Sequence, residues 1–271
     1  MKQNNIYSES IIDLEITDDN YYADDRYMSQ SMLSYVEKSM RHYIEYISGN
    51  IGVYETEAMK FGTAYHHFVL EPETFDDVYF ILDLLERPGP TRSMNLAANK
   101  RWKEDIMLAN VNKQLINSND FDSIKCMAKE LSTNNNIQDL FVGSEFEKII
   151  LWKNRESGVL CKGKIDIINE DKGFICDLKT CQSANPKVFK DTIVNRNYHR
   201  QAAFYLDAVG MKDYYIIAQE KVYPFAYCTY KLSDELIEEG RKEYQMLLNK
   251  FKSLNDGINF NHYNNGKVYE V

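Results

Sequence analysis

The chain has 271 residues, 44% hydrophobic and 27% charged, with a net charge of −9, enough for one large or two small domains with a substantial core. That acidic balance excludes a protein that coats nucleic acid through bulk charge and leaves only a locally basic lining as a way to grip one. No apolar run approaches the ~20 residues of a membrane span, and the polar, acidic N-terminus lacks the apolar core of a signal peptide. Five scattered cysteines form no disulfide framework and suit the reduced thiols of a cytoplasmic protein.

In chain order, residues 1–27 read as a loosely held polar arm carrying the acidic pairs Asp18-Asp19 and Asp24-Asp25. Leu33, Val36, Met40, Tyr43, Ile44 and Ile47 recur at helical spacing, predicting one helix over 28–48 that ends at Gly49. A second helix is expected over 58–70, stopped by Glu71-Pro72. A strand over 78–85 precedes the turn-rich run Arg87-Pro88-Gly89-Pro90. Helices with Asn-rich breaks are expected over 95–117 and 121–140. The pattern then changes to strands over 146–152, 159–168 and 174–179, helices over 186–194 and 198–209, strands over 214–218 and 221–231, and a long amphipathic helix over 233–254. The expected fold class is mixed α/β (α+β), one domain spanning 1–271: the arm, a mostly helical part over 28–140 and an α/β core over 141–271.

The segment 159–180, VLCKGKIDIINEDKGFICDLKT, concentrates the chemistry. Two strand-like runs end in Asp166 and Asp177, Lys179 follows, and Glu170-Asp171-Lys172-Gly173 supplies a turn between them. Such a hairpin sets two carboxylates and an ammonium at one end of a sheet, and adjacent carboxylates repel unless a cation lies between them. A divalent metal beside a lysine suits phosphodiester hydrolysis. On the pattern alone, two solvated surface strands account for the same charges about as well. Glu147 on the preceding strand is a candidate third carboxylate, with Glu145 at the same strand parity as its rival. His66 lies one helical turn after Gly62, whose missing side chain would clear space above the imidazole. Gln201 and Tyr205 share a helix face, with His199 and Arg200 alongside as candidate backbone contacts. Arg87, Arg92, Lys100, Arg101 and Lys103 form a basic stretch that could take a terminal phosphate or simply face solvent. No paired C-x-x-C exists to hold zinc or an iron–sulfur cluster.

Taken together, GTAYHHFVLEPETF at 62–75, Glu147 to Trp152, CysLysGlyLysIleAsp at 161–166, AspLeuLysThr at 177–180 and TyrHisArgGlnAlaAlaPheTyr at 198–205 stand in a familiar order. The chain resembles the PD-(D/E)XK nuclease superfamily, and within it the RecE-like (exodeoxyribonuclease VIII-type) phage exonucleases, related to the RecB nuclease domain and lambda exonuclease. The resemblance implies a restriction-endonuclease-like core: a central mixed sheet flanked by helices, with a helical N-terminal part. It implies metal ligation by His66, Glu147, Asp166, Asp177 and the Leu178 carbonyl. Lys179 would orient or deprotonate the attacking water, and Gln201 and Tyr205 would support the substrate side, to which the residues themselves add Arg92 and Arg200 as candidate phosphate contacts. Also implied are Mg²⁺, for which Mn²⁺ can substitute, a two-metal mechanism, and 5′→3′ digestion of linear duplex DNA. The resulting 3′ single strands would feed recombination by annealing. A ring-shaped homo-oligomer and a RecT-like single-strand annealing partner complete the expectation. Ile165 departs from the proline of the superfamily name and Asp177 from the commoner glutamate. The competing expectations are an endonuclease or Cas4-like nuclease, and a non-catalytic DNA-binding protein of the same fold.

Overall fold

The computed structural model describes residues 7–10, 18–52, 55–89 and 93–253. The first part runs β1 (Ser8–Ser10), α1 (Asp18–Ala23), α2 (Gln30–Lys38), α3 (Met40–Ile47), α4 (Glu57–Leu70), α5 (Phe75–Val78), β2 (Tyr79–Leu82), α6 (Ala97–Ala109), β3 (Gln114–Asn117), α7 (Ser118–Ser132) and α8 (Asn135–Phe141). The second runs β4 (Glu145–Asn154), β5 (Leu160–Asn169), β6 (Phe174–Cys181), α9 (Pro186–Asn195), α10 (Tyr198–Val209), β7 (Asp213–Glu220), β8 (Tyr227–Lys231) and α11 (Asp234–Lys252).

Six strands make one mixed sheet in the order β1-β4-β5-β6-β7-β8. Only β6 and β7 run parallel in it, joined by the α9–α10 crossover. Helices cover both faces, which is why β6 and β7 read as near-continuous apolar runs. On one face Leu33 and Val36 of α2, Phe189 of α9, Phe204 of α10 and Leu248 of α11 pack with Trp152, Ile165 and Ile216. On the other, Tyr65 of α4, Ile124 and Met127 of α7 and Ile137 of α8 pack with Ile167, Leu178 and Ile217. Ile216 and Ile217 thus enter different cores, as the two-residue period of a strand requires. The mixed sheet flanked by helices is the expected fold class. No helix among the described residues is long and apolar enough to cross a membrane.

The helix predicted over 28–48 is broken by Ser39, whose backbone is extended while its Oγ caps α3 by accepting from the His42 amide at 3.2 Å. The expected Asn-rich break in 121–140 falls at Asn134, its Oδ1 accepting from the Asn136 and Ile137 amides at 2.9 and 3.2 Å. In 95–117 the helix ends at Asn110, and 114–117 is strand β3, paired in parallel with β2; no local period reveals such a tertiary pairing. The first part of the strand expected over 221–231 is a turn closed by the Phe225 amide on the Val222 carbonyl at 2.8 Å.

The arm is anchored where it is described. β1 pairs with β4, and Ser8 Oγ donates to the Asp207 and Ala208 carbonyls, each at 2.9 Å. Buried Lys162 donates to the Tyr21 and Asp24 carbonyls at 2.5 and 2.6 Å. Met28 then bridges to β5 through the Leu160 carbonyl and Lys162 amide, covering part of an otherwise open strand edge.

Helices α10 and α11 approach through Gly240. A Cβ there would sit inside contact distance of the His199 carbonyl and 2.7 Å from the Arg200 amide nitrogen. Backbone atoms cannot step aside as a side-chain tip can. Gly240→Ala is therefore expected to cost about 2 kcal/mol of stability, the range of an overpacked core, as a lowered midpoint in urea denaturation.

Candidate active site

The site grows from an interruption of the sheet. Strands β5 and β6 pair at Ile167↔Cys176, Ile168↔Ile175 and Asn169↔Phe174, then part. The next rung would set Asp166 against Asp177. Across the other edge of β5, the pairs Phe146↔Ile167 and Lys148↔Ile165 flank an unpaired rung in which Glu147 faces Asp166. Three neighbouring strands therefore carry a carboxylate at one level, and the ladder is open on both sides of Asp166. Glu147 also has φ 51°, uncommon for a residue with a side chain. The turn that sets this register is tight: Asn169 Oδ1 accepts from the Lys172 amide at 2.8 Å, and Gly173 takes φ 73°.

Parting strands admit side chains from both helical layers. From α4, capped by Thr56 Oγ1 on the Met59 amide at 3.2 Å, His66 brings Nδ1 to 3.5 Å from Asp166 Oδ2. The same Oδ2 accepts the Leu178 amide at 2.9 Å. From α10 on the opposite face, Gln201 Nε2 donates to Asp177 Oδ1 at 2.9 Å. Lys179 Nζ stands 2.6 Å from Asp177 Oδ2, but off the line of a hydrogen bond, so this buried oxygen makes none. Lys164 Nζ lies 3.0 Å from Glu147 Oε2. His66, Glu147 and Asp166 each offer a ligand atom within 4.8 Å of the others.

Burial governs the electrostatics. It pulls the His66 imidazole down to about 4, helped by Lys179, so the ring is neutral at pH 7 and free to ligate a metal. Burial pushes Asp177 up to about 6 against the pull of Lys179. Glu147 rises to about 7 through burial and then the Asp166 charge, with Lys164 opposing. Burial lowers Lys179, but Asp177 and Asp166 outweigh it and hold the ammonium above the ordinary lysine range.

The sequence-level candidates separate cleanly. His66, Glu147, Asp166, Asp177, Leu178, Lys179 and Gln201 converge. Glu145 does not: its carboxylate meets Lys148 at 2.9 Å on the surface. Tyr205 lies behind the site rather than on a substrate side, its ring filling the place of a Gly163 side chain, 2.6 Å from where that Cβ would stand. Arg200 is a correction: it is fully buried, donating to Glu37 Oε2 at 2.7 Å and Ser34 Oγ at 2.9 Å, so it ties α10 to α2 and presents nothing to a ligand. His199 is buried beside it, Nε2 3.3 Å from Glu243. Arg92 lies outside the described residues. Arg101 lines a separate surface cavity of about 600 Å³ with Phe80, Pro88 and Trp102. Gly62 faces Thr180, where an added Cβ would meet only ordinary contact at 3.5 Å, so space above His66 does not demand glycine. Lys164 was missed as a site residue. No local signal marks it, because its partner Glu147 lies on the neighbouring strand β4.

These donors fit a divalent cation. A neutral imidazole and two facing carboxylates, from His66, Glu147 and Asp166, are hard and borderline ligands, with no thiolate among them.

A mixed sheet covered by helices, with carboxylates and a lysine where two central strands part, is a PDDEXK-like nuclease fold. The chain belongs to the family described as PDDEXK-like domain of unknown function (DUF3799), whose model matches residues 29–266. Among solved structures, it is similar to the "Putative exonuclease" of Eubacterium rectale at 15% identity, with a TM-score of 0.62 and 96% of each chain covered. A match to SSO0001, at 14% identity over 66% of this chain and 85% of that one, has a TM-score of 0.30 and carries no argument. No curated protein matches the chain.

The raised carboxyls make metal-free stability depend on pH. Between the unfolded values of 4.5 and 3.8 and the folded values near 7 and 6 for Glu147 and Asp177, the native state holds protons the unfolded chain has lost. Their stabilisation is therefore full below about pH 4 and is lost as pH rises through 6–7. His66 works oppositely, losing stability as pH falls from 6.5 toward 4. Above pH 6.5 the unfolded imidazole still loses its remaining protons, but the larger change on Glu147 sets the sign. Metal-free melting temperature should thus fall between pH 6.5 and 8, and Glu147→Gln should flatten that slope.

Proposed function

We propose that this protein is a metal-dependent DNA exonuclease. The single observation that carries the reading is the rung of Glu147, Asp166 and Asp177, with His66 3.5 Å from Asp166 and Lys179 2.6 Å from Asp177. A bound Mg²⁺, with Mn²⁺ as a substitute, would supply an activated water and positive charge for the phosphoryl oxygens. His66, Glu147 and Asp166 would hold it, and Asp177 Oδ2 is the ligand left for a second ion of the two-metal scheme. Asp177, itself held by Gln201, fixes the Lys179 ammonium beside the place where β5 and β6 part. There the ammonium would offset negative charge developing on the phosphate or orient the attacking water.

The finer reading follows the RecE-like resemblance: 5′→3′ digestion of linear duplex, leaving 3′ tails for annealing. A homo-oligomer enclosing the DNA and a RecT-like annealing protein would be the partners, in the cytoplasm of a phage-infected or prophage-bearing cell. A net charge of −9 suits an acidic exterior with a locally basic passage.

A linear duplex labelled separately at its 5′ and 3′ ends tests this, incubated with Mg²⁺ beside a relaxed closed circle. Wild type is expected to release the 5′ label from linear DNA and spare the circle. Asp177→Ala should lower the rate at least about a hundredfold, as for loss of a charge-stabilising group, while DNA binding persists. Cutting of the circle would replace the exonuclease with an endonuclease or Cas4-like activity. Inactivity on both substrates would leave a non-catalytic DNA-binding protein.

A further inference from the structure

The carboxylate rung carries its own cations. Asp177 has Lys179 at 2.6 Å and Glu147 has Lys164 at 3.0 Å, while Asp166 has the Leu178 amide and His66. Three carboxylates against two ammoniums leave one net negative charge. Lys164 precedes Asp166 by two residues on β5 and meets Glu147, which faces Asp166 across the open rung. Its side chain is 16% exposed and that of Glu147 15%, a pair shielded from water rather than a loose surface contact. The other lysine near this edge, Lys148, is committed to Glu145 and Glu170 at 2.9 and 3.0 Å. Lys164 thus sits on the same carboxylate that, with His66 and Asp166, gathers ligand atoms within 4.8 Å.

We propose that Lys164 is a positioning residue that acts as an internal counter-cation: it neutralises Glu147 in the metal-free protein and must be displaced from it when a divalent ion binds. An ammonium and a divalent ion on one shielded carboxylate repel each other strongly, so the two occupancies compete. Two consequences follow. Metal affinity is held below that of the bare carboxylate cluster. The displaced ammonium is left beside the centre, where an entering phosphodiester meets it. This rests on the metal-centre reading above, and Lys164 differs from Lys179, whose partner Asp177 lies outside the three-ligand group.

Calorimetric titration of the metal-free full chain with Mn²⁺ tests it, run at about pH 8.5 so that the carboxylates are ionised. Lys164→Met, which keeps the aliphatic stem, should bind Mn²⁺ about tenfold tighter than wild type because a competing charge is gone. Lys164→Arg should stay near wild type. Without metal, Lys164→Met should melt lower than wild type, and saturating Mn²⁺ should close or reverse that gap. If the methionine variant does not fold, Lys164→Gln, which keeps a polar partner for Glu147, should shift affinity in the same direction. Unchanged or weaker Mn²⁺ binding in the charge-neutral variant would overturn the proposal alone, since a merely structural lysine gives that result. Absence of Mn²⁺ binding by wild type, or binding undiminished in Asp166→Asn, would overturn the metal-centre reading and this proposal with it.

Discussion

A row of three carboxylates across adjacent strands is the constraint around which the rest of this structure is arranged. Like charges directly opposite one another weaken a sheet, and these stand largely out of water, where an unpaired charge costs far more. The surroundings answer with short-range compensation. Lysines meet the outer two carboxylates, a backbone amide meets the central one, and the ladder opens on either side of Asp166. On Asp177 that compensation is the Lys179 ammonium at Oδ2 together with the Gln201 amide at Oδ1.

Both helical layers are needed to hold that row. His66 reaches it from α4 and Gln201 from α10, on opposite faces of the sheet. The position of α10 therefore sets the aim of Asp177 and, through it, of Lys179. Three contacts fix the helix: buried Arg200 on Glu37 and Ser34 of α2, the close approach to Gly240 of α11, and Tyr205 seated on Gly163 of β5. Removing one partner of a buried ion pair usually costs more than the pair contributes net, so Arg200 matters to the site through position. The Gly163 contact requires a residue without a side chain between Lys162, which anchors the arm, and Lys164, which meets Glu147.

Much of this was legible in the chain because it is written locally. The hairpin from Asp166 to Lys179 combines a two-residue period with a glycine turn, and α4, α9, α10 and α11 carry clear helical periods; all stand where expected. What escaped depends on partners distant in sequence. Strand β3 exists because β2 lies beside it, and the described parts of the arm are held by Lys162 and the Asp207 carbonyl. Arg200 illustrates the same limit for function. On an isolated helix, an arginine next to a site residue reads as a phosphate contact, and only Glu37, far earlier in the chain, turns it inward. Lys164 was hidden differently. It stood in plain view within CysLysGlyLysIleAsp, but nothing local tells a lysine facing a carboxylate from one facing water.

Two irregularities coincide at the carboxylates: Glu147 in the left-handed region and the two open rungs lie at one level of the sheet, while β6 and β7 pair without interruption from Phe174 to Cys181. Such features each cost stability and persist where surrounding structure enforces them. The similarity to the Eubacterium rectale protein, 96% of each chain at 15% identity, bears on the enforcing part, because a fold outlasts most of its side chains. Replacing Glu147, Asp166 or Asp177 with a neutral residue would ease the repulsion in the metal-free sheet, so the cluster is a burden that folding alone does not require.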